Sequence, residues 1–145
     1  VHTIDLSFMK EDKIMREELI KLDMEKFIFT NGSAEHAENI LTHLGVYDLF
    51  GREKIFDIQD ARYVPKPEAK TFDMMLDKFK INPEETIYIE DIAKNLGIGH
   101  ERGCYTVWLI NDENFGKMDS DKDYISHKIE NLSLFLKEIR LLKSK

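Results

Sequence analysis

The first segment with residue types suited to chemistry is a polar turn that follows the apolar run at residues 27–29. The run predicts a short β-strand, and Thr30, Asn31 and Gly32 come directly after it. Gly32 permits a tight turn, and Ser33 is a good N-cap for a following helix. A hydroxyl, an amide side chain and the backbone N–H groups of the helix amino end would then be available to hold a phosphate. An ordinary strand–turn–helix connection explains the same residues.

The second segment presents a cation. Lys66 lies between Pro65 and Pro67 in a predicted loop. The prolines would stiffen the backbone and present the ammonium group at a fixed point, where it could meet an anion. The other interpretation is a solvated loop lysine.

The third segment combines oxygen ligands. Glu90 and Asp91 follow a predicted strand at residues 86–89, and two adjacent carboxylates suit a hard divalent cation such as magnesium. Asn95 lies four residues after Asp91, one helical turn on, and can face the same way. The alternative is that the carboxylates cap the next helix and interact with its dipole.

The elements that must position these residues alternate along the chain. Helices are predicted at residues 10–22, 34–44, 68–80 (with Pro67 in the first turn), 93–102 and 132–142. Strands are predicted at residues 27–29, 55–58, 86–89 and 105–110, with a last short strand at 124–125. This alternation predicts an α/β fold with a mainly parallel sheet covered on both faces. Ligands bind at the carboxyl ends of such strands, so Thr30, Lys66 and Asp91 are expected at one rim.

Composition narrows the class of protein. The chain has 145 residues, 42% hydrophobic and 34% charged, which fits one globular domain. A net charge of −7 argues against nonspecific nucleic-acid binding. No apolar run reaches membrane-spanning length, and there is no signal-peptide pattern. The single Cys104 excludes an internal disulfide framework and fits a reducing compartment, so a cytoplasmic location is expected.

Three motifs resemble a known family. Residues 29–32 (Phe-Thr-Asn-Gly), 64–67 (Val-Pro-Lys-Pro) and 88–95 (Tyr-Ile-Glu-Asp-Ile-Ala-Lys-Asn) look like the second, third and fourth motifs of the haloacid-dehalogenase superfamily of phosphotransferases. The sequence of residues 39–50 is most similar to the pyrimidine 5′-nucleotidase branch of this superfamily. The motifs occur in order, and the resemblance implies a Rossmann-like three-layer core.

The resemblance also implies a reaction, the hydrolysis of a nucleoside 5′-monophosphate through an aspartyl-phosphate. In such enzymes one Asp attacks phosphorus, and a second Asp two residues later protonates the leaving group. Thr30 would hydrogen-bond the phosphoryl group, with Asn31 and Gly32 beside it. Lys66 would neutralise its charge. Magnesium would be held by Asp91, with support from Glu90 and Asn95.

The first motif of the family, Asp-x-Asp-x-Thr at the end of a strand, is absent from the sequence. Asp5 is the nearest match, with Ser7 where the second Asp belongs. Asp5 could be a degenerate nucleophile, but residues 1–9 look more like the segment that returns from a helical cap. We therefore expect residues 1–145 to be one incomplete core domain that lacks the nucleophile strand and the substrate-selecting cap.

This omission has two consequences. The chain alone is expected to be inactive as a phosphatase, and a noncatalytic phosphate- or nucleotide-binding protein derived from such an enzyme is the alternative function. The family's nucleophile strand lies between the strands at residues 27–29 and 86–89. Without it we expect a rearranged sheet, or a strand supplied by residues 1–9 or by a second chain.

Overall fold

The computed structural model describes residues 13–110 and 117–143 of the chain. Residues 1–9, including Asp5, lie outside the described residues. The chain divides into two compact units, which we call unit 1 (Val1–Tyr63 with Leu132–Lys145) and unit 2 (Val64–Asn131). We describe each unit by itself, and the single domain over residues 1–145 stays a prediction.

The described elements follow one another in an alternating order. The helices are α1 (Lys13–Lys21), α2 (Ala34–His43), α3 (Ala69–Phe79), α4 (Leu96–Glu101) and α5 (Leu132–Lys143). The strands are β1 (Ile28–Phe29), β2 (Ile55–Phe56), β3 (Ile87–Glu90), β4 (Tyr105–Leu109) and β5 (His127–Ile129). Short 3-10 turns lie at Tyr47–Leu49, Arg52–Lys54, Pro83–Glu85 and Ala93–Asn95.

Unit 1 is built on a short parallel pair of strands. In this pair Ile28 of β1 lies opposite Ile55 of β2. Ile55 is fully buried and belongs to an apolar core that also takes side chains from α1, α2 and α5, among them Leu19, Leu41 and Leu136. This packing fixes where β1 ends, and therefore where the polar turn after it begins.

Unit 2 contains a three-stranded parallel sheet in the order β3-β4-β5. Glu90, the last residue of β3, lies opposite Trp108 of β4. The ring of Phe72, from α3, packs against the ring of Tyr88, from β3, with centroids 5.3 Å apart. The sheet and α3 together fix the end of β3, where the predicted carboxylates lie.

The predicted α/β class with parallel strands is confirmed. The described strands form two sheets, β1-β2 within unit 1 and β3-β4-β5 within unit 2. All of their pairings are parallel.

Several predicted boundaries are wrong, among them the strand predicted at residues 55–58, which ends at Phe56. The last strand is β5 at His127–Ile129 and not residues 124–125, because Ile129 is the residue that becomes buried there. Pro67 is not in the first turn of α3, which begins at Ala69 after the N-cap Glu68. The helix predicted at residues 93–102 begins with the 3-10 turn and becomes α-helical only at Leu96.

Candidate active site

The turn after β1 is held by backbone hydrogen bonds to the segment after β2. The Thr30 N–H donates to the carbonyl of Phe56 at 3.0 Å, and the Ile58 N–H donates to the carbonyl of Gly32 at 3.0 Å. Inside the turn, the Gly32 N–H donates to Oγ1 of Thr30 at 3.0 Å. The Thr30 hydroxyl thus accepts one hydrogen bond and still carries a proton that it can donate.

Some of the N–H groups expected to be available at the amino end of α2 are already used. Ser33 is the N-cap, as predicted, and its Oγ accepts from the His36 N–H at 3.0 Å. The Ala34 N–H donates to Oδ2 of Asp57 at 2.9 Å. The expectation that these two N–H groups would serve a bound phosphate is wrong, because side chains of the protein satisfy them first.

Lys66 and Glu90 form an ion pair within unit 2. Their side chains are 9% and 6% exposed, so the pair is largely removed from water. The interpretation of Lys66 as a solvated loop lysine is therefore wrong. The backbone before Lys66 is tied to α3, because Oγ1 of the buried Thr71 donates to the carbonyl of Val64 at 2.6 Å. The peptide bond between Lys66 and Pro67 is cis.

Glu90 also accepts a hydrogen bond from Tyr88. The Tyr88 hydroxyl donates to Oε1 of Glu90 at 3.3 Å, and this is the same oxygen that Lys66 contacts. Burial raises the pKa of Tyr88 well above its ordinary value, and the negative charge of Glu90 raises it further. Tyr88 therefore remains a neutral donor, and Glu90 is fixed by two groups.

The segment after β3 carries the other predicted metal ligands. Asp91 is half-buried, and its backbone carbonyl accepts from Nε1 of Trp108 at 3.0 Å. Asn95 is 2% exposed, and its Oδ1 is the one buried side-chain nitrogen or oxygen of residues 13–110 and 117–143 without a hydrogen-bond partner. A buried oxygen without a partner is costly unless something binds it.

The donor set of this segment fits magnesium. Carboxylate and amide oxygens are the ligands that magnesium prefers, and Asp91 and Asn95 supply both kinds. Within the part of the chain that the structure describes, His, Cys, Asp and Glu side chains form no group of three that could hold a metal.

The predicted site residues are thus distributed over both units. Unit 2 brings Lys66 and Glu90 into contact, with Asp91 next in sequence. Thr30, Asn31 and Gly32 belong to unit 1. The convergence of all of them at one rim stays a prediction.

Sequence reasoning missed three residues that shape these segments: Asp57, Tyr88 and Trp108. Asp57 lies within the strand predicted at residues 55–58, so the sequence pattern did not single out its carboxylate. Tyr88 and Trp108 had no signal either, because both are strand residues whose polar atoms find partners only in the folded chain.

Comparison with known proteins identifies a family and a fold. Residues 4–109 match the sequence model of the haloacid dehalogenase-like hydrolases. Among solved structures, L-2-haloacid dehalogenase from Xanthobacter autotrophicus with chloropropionic acid covalently bound is 14% identical, with a TM-score of 0.64 over 86% of this chain. The beta-phosphoglucomutase of Clostridium difficile is 19% identical, with a TM-score of 0.59 over 94% of this chain.

The structural likeness confirms the Rossmann-like fold of this superfamily. The chain spans 59% of the dehalogenase and 57% of the mutase, less than two thirds of either. In the described ranges no helix has the length and apolar character needed to cross a bilayer.

Proposed function

The chain belongs to the haloacid dehalogenase-like hydrolase family, and from this we propose that it forms the core of a magnesium-dependent phosphate-monoester hydrolase. The observation that carries the proposal is the buried Oδ1 of Asn95, which has no hydrogen-bond partner. Asn95 follows Asp91 by four residues, at the end of the 3-10 turn, and an oxygen-ligated cation bound to both side chains would satisfy this buried oxygen.

We assign the metal to the segment after β3. Asp91 and Asn95 would hold magnesium, and Glu90 would support them through its negative charge. When bound, magnesium neutralises charge on the oxygens of a phosphoryl group. The reacting carbon–halogen bond of a haloacid has no oxygen for the cation to neutralise, whereas the reacting phosphoryl group does, so a cation at the reacting group favours phosphate esters as substrates.

The role of Lys66 is to neutralise an anion. Its ammonium group is paired with Glu90, so a phosphate must compete with a buried carboxylate for it. A cation bound nearby would attract the Glu90 carboxylate and weaken its ion pair with Lys66. The Lys66 ammonium group could then attract the phosphate more strongly. Phosphate binding should therefore depend on both Lys66 and magnesium.

The contribution of unit 1 is the hydroxyl of Thr30. It accepts from Gly32 and can donate its own proton to a phosphoryl oxygen. Asn31 would lie beside it as a further substrate-binding residue.

The reaction would use an aspartyl-phosphate whose attacking Asp belongs to an Asp-x-Asp-x-Thr motif, which these 145 residues do not contain. The substrate we propose is a pyrimidine nucleoside 5′-monophosphate, on the resemblance of residues 39–50.

The test is a calorimetric titration of inorganic phosphate into the chain with and without magnesium. Phosphate should bind the wild type more tightly when magnesium is present. The double variant Lys66→Met, Glu90→Gln removes both charges of the buried pair, so it leaves no lone buried carboxylate, and it should weaken binding at least about tenfold.

The matched control is Lys70→Ala, which removes an exposed lysine of α3 in the same unit. It should bind phosphate as the wild type does. Equal affinity in all three proteins, or affinity that is indifferent to magnesium, would contradict the proposed function.

A further inference from the structure

The turn that carries Thr30 is held by one short segment after β2. Two backbone hydrogen bonds join the segments, from the Thr30 N–H to Phe56 and from the Ile58 N–H to Gly32, each at 3.0 Å. Between them, in sequence, comes Asp57, whose carboxylate accepts from the Ala34 N–H at 2.9 Å. Backbone bonds therefore hold the turn at Thr30 and Gly32, and a side chain holds it where α2 begins.

Asp57 is suited to this position by burial and by its own fixed orientation. Its side chain is 3% exposed. Oδ1 accepts from the Asp60 N–H at 2.9 Å, while Oδ2 of Asp60 accepts from the Asp57 N–H at 3.0 Å. Nη2 of Arg52 lies 3.8 Å from Oδ1 of Asp57, which places a positive charge beside the buried carboxylate. This reciprocal arrangement leaves Oδ2 directed at a single donor, the Ala34 N–H.

We propose that Asp57 is a positioning residue that fixes the turn from Thr30 to Ser33 and so aims the Thr30 hydroxyl. Among the described residues, Asp57 is the one side chain that accepts from the Ala34 N–H. Its importance for phosphate binding rests on the proposed function above.

The bond from Ala34 also decides which donors of the turn a phosphate can use. The carboxylate of Asp57 occupies a backbone donor at the amino end of α2 and brings its own negative charge there. A phosphate at this turn is then held through the hydroxyl of Thr30 and not through the Ala34 N–H. The turn works by presenting a side-chain hydroxyl in a fixed direction.

The experiment compares Asp57→Ala and Asp57→Asn with a matched loss of charge, Glu35→Gln. Glu35 is an exposed carboxylate in the first turn of the same helix. Amide hydrogen exchange, followed by NMR without any ligand, reports on the turn. Asp57→Ala should speed exchange at Gly32 and Ala34 at least about tenfold while Leu41, in the middle of α2, is unchanged.

Inorganic phosphate titration supplies the second readout. Asp57→Ala should weaken binding about as much as Thr30→Val does, Asp57→Asn should recover part of the loss because its amide oxygen can still accept from Ala34, and Glu35→Gln should match the wild type. A purely structural role would leave phosphate affinity unchanged in the folded variant.

The two proposals fail separately. If the wild type binds no phosphate, the proposed function fails, while faster exchange at Gly32 and Ala34 in Asp57→Ala still supports Asp57 as the residue that holds the turn. If the wild type binds phosphate but Asp57→Ala leaves affinity or exchange at both amides unchanged, the positioning role is overturned.

Discussion

The Tyr88 hydroxyl donates to Oε1 of Glu90 at 3.3 Å, so a buried tyrosine holds the carboxylate that also pairs with Lys66. The ring that carries this hydroxyl packs on Phe72 on one side. It also lies against Gly99 of α4, where an added Cβ would be 2.5 Å from Cδ2 of Tyr88. The orientation of Glu90 thus depends on the packing of Phe72 and Gly99 around the ring of Tyr88.

Tyr88→Phe should lower the free energy of unfolding by about 1 kcal/mol, because the buried Glu90 loses a donor while the ring packing is kept. Urea unfolding can be followed by the fluorescence of Trp108, the single tryptophan, which lies in β4 of unit 2. Tyr105→Phe, which alters an exposed residue of the same strand, is the control and should have no effect. Equal stability of the two variants would mean that the bond to Glu90 contributes nothing.

The stabilisation that is lost in Tyr88→Phe should itself depend on pH in the alkaline range. The pKa of Tyr88 is raised in the folded chain by burial and by Glu90, whereas an unfolded tyrosine ionises near pH 10. Because the folded value is the higher one, the stabilisation is complete below about pH 10 and is lost as pH rises above it. The stability difference between wild type and Tyr88→Phe should therefore shrink above about pH 10, and a difference that stays constant would contradict the raised pKa.

Gly99→Ala should destabilise the chain by about 1–3 kcal/mol, because the buried ring of Tyr88 has to shift. Gly97→Ala is the matched control in the same helix, since its Cβ would lie 3.5 Å from the ring of Tyr124, an ordinary contact. It should be neutral or stabilise by about 0.5–1 kcal/mol through helix propensity. Urea unfolding of both variants checks this, and equal effects would mean that Gly99 is not needed to make room for the ring.

In unit 1, Glu18→Gln should remove an acid-sensitive contribution to stability. Nε of Arg140, on α5, donates to Oε2 of Glu18, on α1, at 2.7 Å. This hydrogen bond, opposed in part by desolvation, lowers the pKa of Glu18 below its ordinary value of 4.5. Because the folded value is the lower one, the stabilisation is present above about pH 4.5 and is lost as pH falls through the folded pKa.

The measurement is thermal unfolding by circular dichroism at neutral pH and near pH 3, with Glu17→Gln as the control at an exposed position of α1. Glu18→Gln should melt below the wild type at neutral pH, and the two should approach one another in acid. If Glu17→Gln behaved in the same way, the effect would be one of net charge and not of the contact with Arg140.

The sequence predicted the structural features that are decided by residues close together in the chain. Ser33 was identified as the N-cap of α2 because capping is decided by the residue and the amide three positions on. The parallel strands followed from the alternation of elements. The pairing of Lys66 with Glu90 could not be predicted, because it joins residues 24 positions apart, and the fold alone decides that they meet.

The same limit applies to Tyr88 and Asp57. The sequence predicted Tyr88 only as a strand residue. Its contact with Gly99 exists because α4 packs on β3 in unit 2. The sequence predicted Asp57 as a strand residue, but β2 ends at Phe56 and the Asp57 carboxylate accepts from the Ala34 N–H at the start of α2. In both cases the polar atom is satisfied by a partner that sequence spacing does not identify.

The central claim, that the segment after β3 holds magnesium through Asp91 and Asn95, is tested most directly by following the side-chain amide of Asn95 by NMR while magnesium is added. Asn82 is the internal control, because its Oδ1 already accepts from the Glu84 N–H at 3.0 Å. The Asn95 side-chain resonances should shift and saturate in the wild type, those of Asn82 should not, and Asp91→Asn should abolish the shift. Asn95 resonances that do not respond to magnesium, or that respond equally in Asp91→Asn, would contradict the claim.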